Sequence, residues 1–115
     1  MSNYFEEPMK IGEDFHIYIE YDDPIDITGY KHYFTLRYTL EGPPILNVSS
    51  TVGDHPLDSV ENRKAGIAIS NTLTGQLKRG RYYWELQVET PDNPGNKVTL
   101  SPPPEDFRDM LRVVP

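Results

Sequence analysis

Three histidines and a handful of carboxylates are the side chains of this sequence best suited to chemistry. His16, His32 and His55 lie far apart, and none has a second ligand at a metal spacing such as His-x-x-x-His. The sequence therefore predicts no zinc site and places all three on the surface or at strand edges. Asp22, Asp23 and Asp26 could offer oxygens to calcium, yet the stretch lacks the glycine and terminal glutamate of a calcium-binding hand, and turn chemistry accounts for it. Ser49, Ser50, Ser59, Ser70 and Ser101 stand in no glycine-flanked nucleophile elbow, and no glycine loop is built to cradle phosphate. Glu85 and Glu89 share a strand face as a solvated surface would. With no cysteine there is no thiolate ligand, thiol nucleophile or disulfide. The expectation is a non-enzymatic protein without cofactor or metal.

Contact chemistry is better represented. Eight tyrosines exceed what one core of this size needs. Tyr18, Tyr33 and Tyr83 fall on the outward parity of their strands, where aromatic rings serve protein contact, carbohydrate stacking or cross-strand pairing. Lys78-Arg79-Gly80-Arg81 is a basic turn rim in an acidic chain, either solvated or set against an acidic neighbour. Eighteen acidic against eleven basic residues give a net charge of −7, which disfavours nucleic acid and anionic membrane surfaces. No apolar run approaches the ~20 residues that span a bilayer. The opening residues lack the basic flank and apolar centre of a signal peptide, so the protein is expected to work where it is made or in a particle assembled there.

The elements that must position these residues are strands. Phe15, Ile17 and Ile19 alternate with His16, Tyr18 and Glu20, which is the period of a half-buried strand. Asp22-Asp23-Pro24 breaks it, and Ile25 to Gly29 reads as a short second edge. Tyr30 to Leu40 is a long central strand, Ile45 to Val52 a poorer one, Gly53 to Lys64 an exposed loop, and Gly66 to Ser70 a strand again. Asn71 to Gln76 bridges through a helical turn to the clearest strand, where Tyr82, Trp84, Leu86 and Val88 alternate with polar residues. Leu77, Gly80, Tyr82 and Trp84 also match the spacing of a tyrosine corner, in which the tyrosine hydroxyl bonds backbone just upstream. Turn residues from Thr90 to Asn96 close a hairpin with Lys97 to Leu100.

The predicted core is Phe15, Ile17, Ile19, Phe34, Leu36, Tyr38, Ile67, Ile69, Tyr82, Trp84, Leu86 and Val88. About seven short strands joined by turns imply an all-β, antiparallel immunoglobulin-like sandwich. The chain divides into an N-terminal arm (1–10), the sandwich (11–101) and a proline-linked C-terminal segment (102–115). The arm carries Tyr4, Phe5 and Met9. In the last segment Phe107, Met110 and Leu111 fall at i, i+3 and i+4, which predicts a helix within Glu105 to Val114. So short a helix needs a surface to fold against, either its own sandwich or a neighbouring subunit. The triple proline weighs toward the neighbour, because it stiffens the exit from the last strand. These six apolar residues are the expected partner contacts.

The order Asp26-Ile27-Thr28-Gly29-Tyr30, a Tyr-Phe-x-Leu-Arg strand, Gly66-Ile67-Ala68-Ile69 and Thr72-x-x-x-x-Leu77-x-x-Gly80-x-Tyr82-x-Trp84-x-Leu86 resembles the small immunoglobulin-like modules of tailed bacteriophages. The N-terminal domain of upper baseplate proteins is one member type. The resemblance covers roughly residues 11 to 100; the aromatic arm and the proline-linked tail depart from it. It implies a non-catalytic structural protein of the virion, in capsid decoration or a tail or baseplate. Its partners would be other virion proteins and further copies of itself, in a particle assembled in the host cytoplasm. The competing expectation is a freestanding module that binds a host receptor or carbohydrate through exposed tyrosines.

Overall fold

Alternating apolar residues set the strands, and the turns between them decide which strands become neighbours. The computed structural model describes residues 4–5, 7–106 and 109–115. The strands are β1 (Met9–Lys10), β2 (Phe15–Glu20), β3 (Lys31–Arg37), β4 (Leu46–Thr51), β5 (Lys64–Ile69), β6 (Gly80–Glu89), β7 (Lys97–Ser101) and β8 (Leu111–Val114), with one short helix, α1 (Asn71–Thr74). The fold is all-β. One sheet runs β1-β8-β6-β3-β4 with β7 also paired to β6, and β2 and β5 form a second sheet of two strands. All pairings are antiparallel except β1 with β8.

The two sheets share one apolar core. β2 contributes Phe15, Ile17 and Ile19, β5 contributes Ile67 and Ile69, β3 contributes Phe34 and Leu36, and β6 contributes Tyr82 and Leu86. Burial of each such side chain is worth roughly 1.5–3 kcal/mol. The Tyr82 ring is fully buried and its hydroxyl donates to the Lys78 carbonyl at 2.5 Å, the geometry that a tyrosine corner requires. Burial, with Tyr38 alongside, pushes that hydroxyl up to about 12, so it remains a donor at ordinary pH. Ser70 caps α1 by accepting from the Leu73 amide.

The ends of the chain depart most from expectation. Leu111 to Val114 is a strand and not a helix; it pairs with Gly80, Arg81 and Tyr82 of β6 on one side and with β1 on the other. Leu111 and Val113 point inward and Arg112 outward. Period-two burial, favoured by β-branched valines, thus overrides the three-residue helical spacing. The prolines do not carry this segment away from the sheet, for it returns along the free edge of β6 beyond the stretch that β7 covers. Between those two stretches the Trp84 indole donates to the Asp109 carbonyl at 3.0 Å. Met9 and Leu111 lie in the core cluster, with Tyr4 and Phe5 packed against it. The Phe5 ring meets Phe15, Phe34 and Trp84 at 5.7, 6.4 and 5.0 Å, so it joins the two sheets. Met110 is half-buried. Phe107 lies outside the described residues.

Three further expectations are corrected. β3 ends at Arg37, leaving Tyr38 54% exposed rather than in the core, because Thr39 and Gly42 close a turn there. Trp84 is only half-buried, roofed by the arm residues Tyr4 and Phe5. Ile25 to Gly29 forms no strand: Asp26 accepts from the Thr28 amide and hydroxyl in a turn, while Ile27 is buried.

Candidate functional site

The outward face of the two-stranded sheet brings together residues that are remote in sequence. β2 presents His16, Tyr18 and Glu20, which lie opposite Ala68, Gly66 and Lys64 of β5. Two of those partners are small, and the space over them is filled by the loop before β5. A Cβ on Gly66 would come within 2.6 Å of His55 Nδ1, so the bare glycine is what lets the imidazole lie on the strand.

Asp58 holds the loop in place. One carboxylate oxygen accepts from the Gly53 and His55 amides at 2.7 and 3.0 Å, and the other accepts from the Gly66 amide of β5 at 2.8 Å. This caps the outer edge of β5. The outer edge of β2 is covered by the arm, where the Tyr18 amide donates to the Tyr4 carbonyl at 2.9 Å. Unpaired strand edges invite pairing with other chains, and this small sheet has both edges engaged.

The resulting surface is aromatic and partly open. The His16 and Tyr18 rings stack at 6.2 Å, and the His55 ring stands edge-on to His16 at 5.2 Å and to Tyr18 at 6.3 Å. His16 Nδ1 and His55 Nε2 are 3.0 Å apart, and the Leu57 amide donates to His55 Nδ1 at 3.0 Å. His55 is 7% exposed, while Tyr18 is 47% and Leu57 56% exposed. Two clefts meet at Tyr4 and Tyr18. One, of about 510 Å³, runs between arm and β2 and is edged by Glu7, Glu13, Asp14 and Lys10. The other, of about 530 Å³, is edged by Glu20, Asp22, Lys64, Asn62 and Leu57. Carboxylates outnumber lysines on both rims.

The third histidine does different work. His32 is buried on β3 and hydrogen-bonded through Nε2 to the Tyr21 hydroxyl at 2.8 Å. Burial lowers it to about 4, so it is neutral at ordinary pH. Burial, with Tyr30 and Tyr4 near, raises the Tyr21 hydroxyl. The expectation that all three histidines sit at the surface or at strand edges fails for His32, buried on a strand flanked on both sides, and for His55, buried in a loop.

Other residues singled out from sequence fall into sheet chemistry. Glu85 pairs with Arg37 at 3.1 Å. Glu89 accepts from the Gly95 amide and the Tyr33 hydroxyl, and these bonds hold its carboxyl below the usual range. Arg81 lies directly opposite Arg112, and both line an open cleft of about 490 Å³ with Arg79 and the last three residues. Ser59 and Ser70 accept from backbone amides in turns. Among the described residues no group of three or more histidines, aspartates or glutamates is placed to hold a metal ion. Comparisons with protein-family models, curated proteins and solved structures gave no match.

The pairing of His16 with His55 was missed because the two are 39 residues apart and joined only by the loop's fold. One signal was present: Gly66 interrupts an otherwise apolar strand, which marks a position approached closely by other chain.

Proposed function

We propose that this chain is a non-enzymatic structural subunit of a bacteriophage particle, an immunoglobulin-type sandwich that acts through protein contact. The fold reading is supported by the Tyr82 hydroxyl bonded back to Lys78 and by two sheets closing on one core. The functional reading rests on one observation: an exposed aromatic ring, Tyr18, standing where two acid-rimmed clefts meet. Tyrosine on a rigid strand offers contact area at small entropic cost, and the acidic rim suits a protein surface bearing lysine or arginine. The partners are then other virion proteins, with this chain present in many symmetric copies.

Mass spectrometry of purified particles from the source should find the chain in stoichiometric amounts. The variant Tyr18→Ala with Leu57→Ser should stay folded by thermal melt yet fail to incorporate. Absence of the wild-type chain from particles, or normal incorporation of the double variant, would sink the reading. A carbohydrate reading draws on the same ring, which has Asn62 and Asp22 across the second cleft. Glycan-array binding that is lost with Tyr18→Ala would replace the first reading with it.

A further inference from the structure

The bond between His16 and His55 has a property that follows from its neighbours. The Leu57 amide donates to His55 Nδ1, so that nitrogen carries a lone pair and the ring's proton is on Nε2. His55 Nε2 therefore donates to His16 Nδ1, and His16 in turn carries its proton on Nε2. Both rings are neutral, and the arrangement accepts no further proton. A proton on His16 Nδ1 would set two N–H groups against each other across 3.0 Å. Moving the His55 proton to Nδ1 would free Nε2 to accept from a charged His16, but it would then oppose the Leu57 amide. Either way one of the two bonds is lost.

We propose that this pair is an acid-released latch that holds the His55 ring and the Leu57 amide over the outer face of β2 and β5 at neutral pH and loosens them in mild acid, while Asp58 keeps the Gly53, His55 and Gly66 amides. Imidazoles change charge in that range. The charged groups sharing the cleft on the His16 side are Glu7, Glu13, Asp14 and Lys10. On the loop side the carboxylates are Asp54, which accepts from the Thr51 amide, and Asp58, which is occupied by three backbone amides, and from β2 the Tyr18 ring is stacked on His16. At the positions facing the pair β5 offers only Gly66 and Ala68, with Lys64 farther along the strand. The same tautomer logic disfavours a metal between the rings, because a metal on His55 Nε2 would also force a proton onto Nδ1. The released state uncovers Gly66 and reorients Tyr18. Only the consequence for particle contact rests on the reading of this face given above; the latch does not.

The test uses the isolated full chain. Nitrogen-15 NMR at pH 7.5 should show both His16 and His55 as Nε2–H tautomers. On lowering the pH to 5, protection of the Leu57 amide against hydrogen exchange, corrected for the intrinsic rate, should fall at least about tenfold. The Leu36 amide of β3 reports global loosening and should change by less. His16→Gln, whose amide oxygen can accept from His55 without titrating, should lessen the fall in Leu57 protection over this range, leaving only the part due to a proton on His55 itself. A His55 Nδ1–H tautomer at pH 7.5, unchanged Leu57 protection in acid, or an equal fall in the variant would each overturn the latch. If the variant does not fold, the tautomers and exchange of the wild-type chain decide alone. Particle incorporation plays no part in any of these outcomes.

Discussion

The outer faces of the two sheets solve the same problem by different means. On the large sheet, polar side chains satisfy one another across neighbouring strands. Arg37 meets Glu85 diagonally across β3 and β6, the Tyr33 hydroxyl donates to Glu89, and the Lys97 ammonium sits 4.2 Å above the Tyr33 ring. On the small sheet the strand partners are a glycine and an alanine, and satisfaction comes from a loop laid over them and stapled by Asp58. A face built from cross-strand pairs is redundant, since losing one pair leaves the strands joined. A face built from one loop depends on the carboxylate that staples it and on the histidine bond beside it.

That difference predicts unequal costs. Asp58→Ala should be the most damaging surface change in the molecule. It removes the acceptor for three amides, one of them from buried Gly66. A buried donor left unpaired costs about 1–3 kcal/mol, and bonds to a charged acceptor are worth about 1.5–3 kcal/mol each. A total near 3 kcal/mol, read as a lower denaturation midpoint, is expected, with exchange rising first across residues 53 to 66. A loss under about 0.5 kcal/mol, the level of an ordinary surface change, would mean that the staple adds nothing beyond the loop's own turns.

The second prediction separates the faces from the interior between them. His32 titrates at about 4 in the folded protein against 6.5 for a free imidazole. Above pH 6.5 it is neutral in both states and contributes no pH dependence. As pH falls from 6.5 toward 4 the unfolded chain takes up a proton that the folded one refuses, so stability drops, by up to about 3 kcal/mol. His32→Gln should flatten the stability profile in this window and leave the Leu57 exchange behaviour intact. Equal acid sensitivity in that variant would assign the loss to other groups.

The sequence carries the central strands legibly, and the chain ends and the small sheet's outer face hardly at all. Alternation at Phe15-Ile17-Ile19 and Tyr82-Trp84-Leu86-Val88, and the turn chemistry before Lys97, are local signals, and β2, β6 and the β6–β7 hairpin follow them. Tyr18 was recognisable as outward by parity. His55 was not recognisable as buried, because loop geometry depends on where Asp58 finds amides, and two of those three lie within the loop itself while the third lies on β5. The tail misled for a physical reason: Phe107, Met110 and Leu111 fit a helix, but the exposed edge of β6 offers Leu111 to Val114 backbone partners that a short helix cannot match.

The smallest expected effect lies on the large sheet. Glu85→Gln removes the charge from the pair with Arg37, whose side chains are 26% (Arg37) and 19% (Glu85) exposed. Partly exposed pairs of this kind are worth about 0.2–1 kcal/mol, and glutamine keeps an oxygen for the guanidinium. The β3–β6 ladder beneath it runs from Lys31 to Arg37 without interruption, so the backbone loses no partner. A cost of about 0.5 kcal/mol or less is expected, shrinking further in salt as Coulomb attraction is screened. Thermal melts at low and high ionic strength on both proteins measure it. A loss comparable to that of Asp58→Ala would show that the large sheet's face also hangs on one carboxylate, and the contrast between the two faces would collapse.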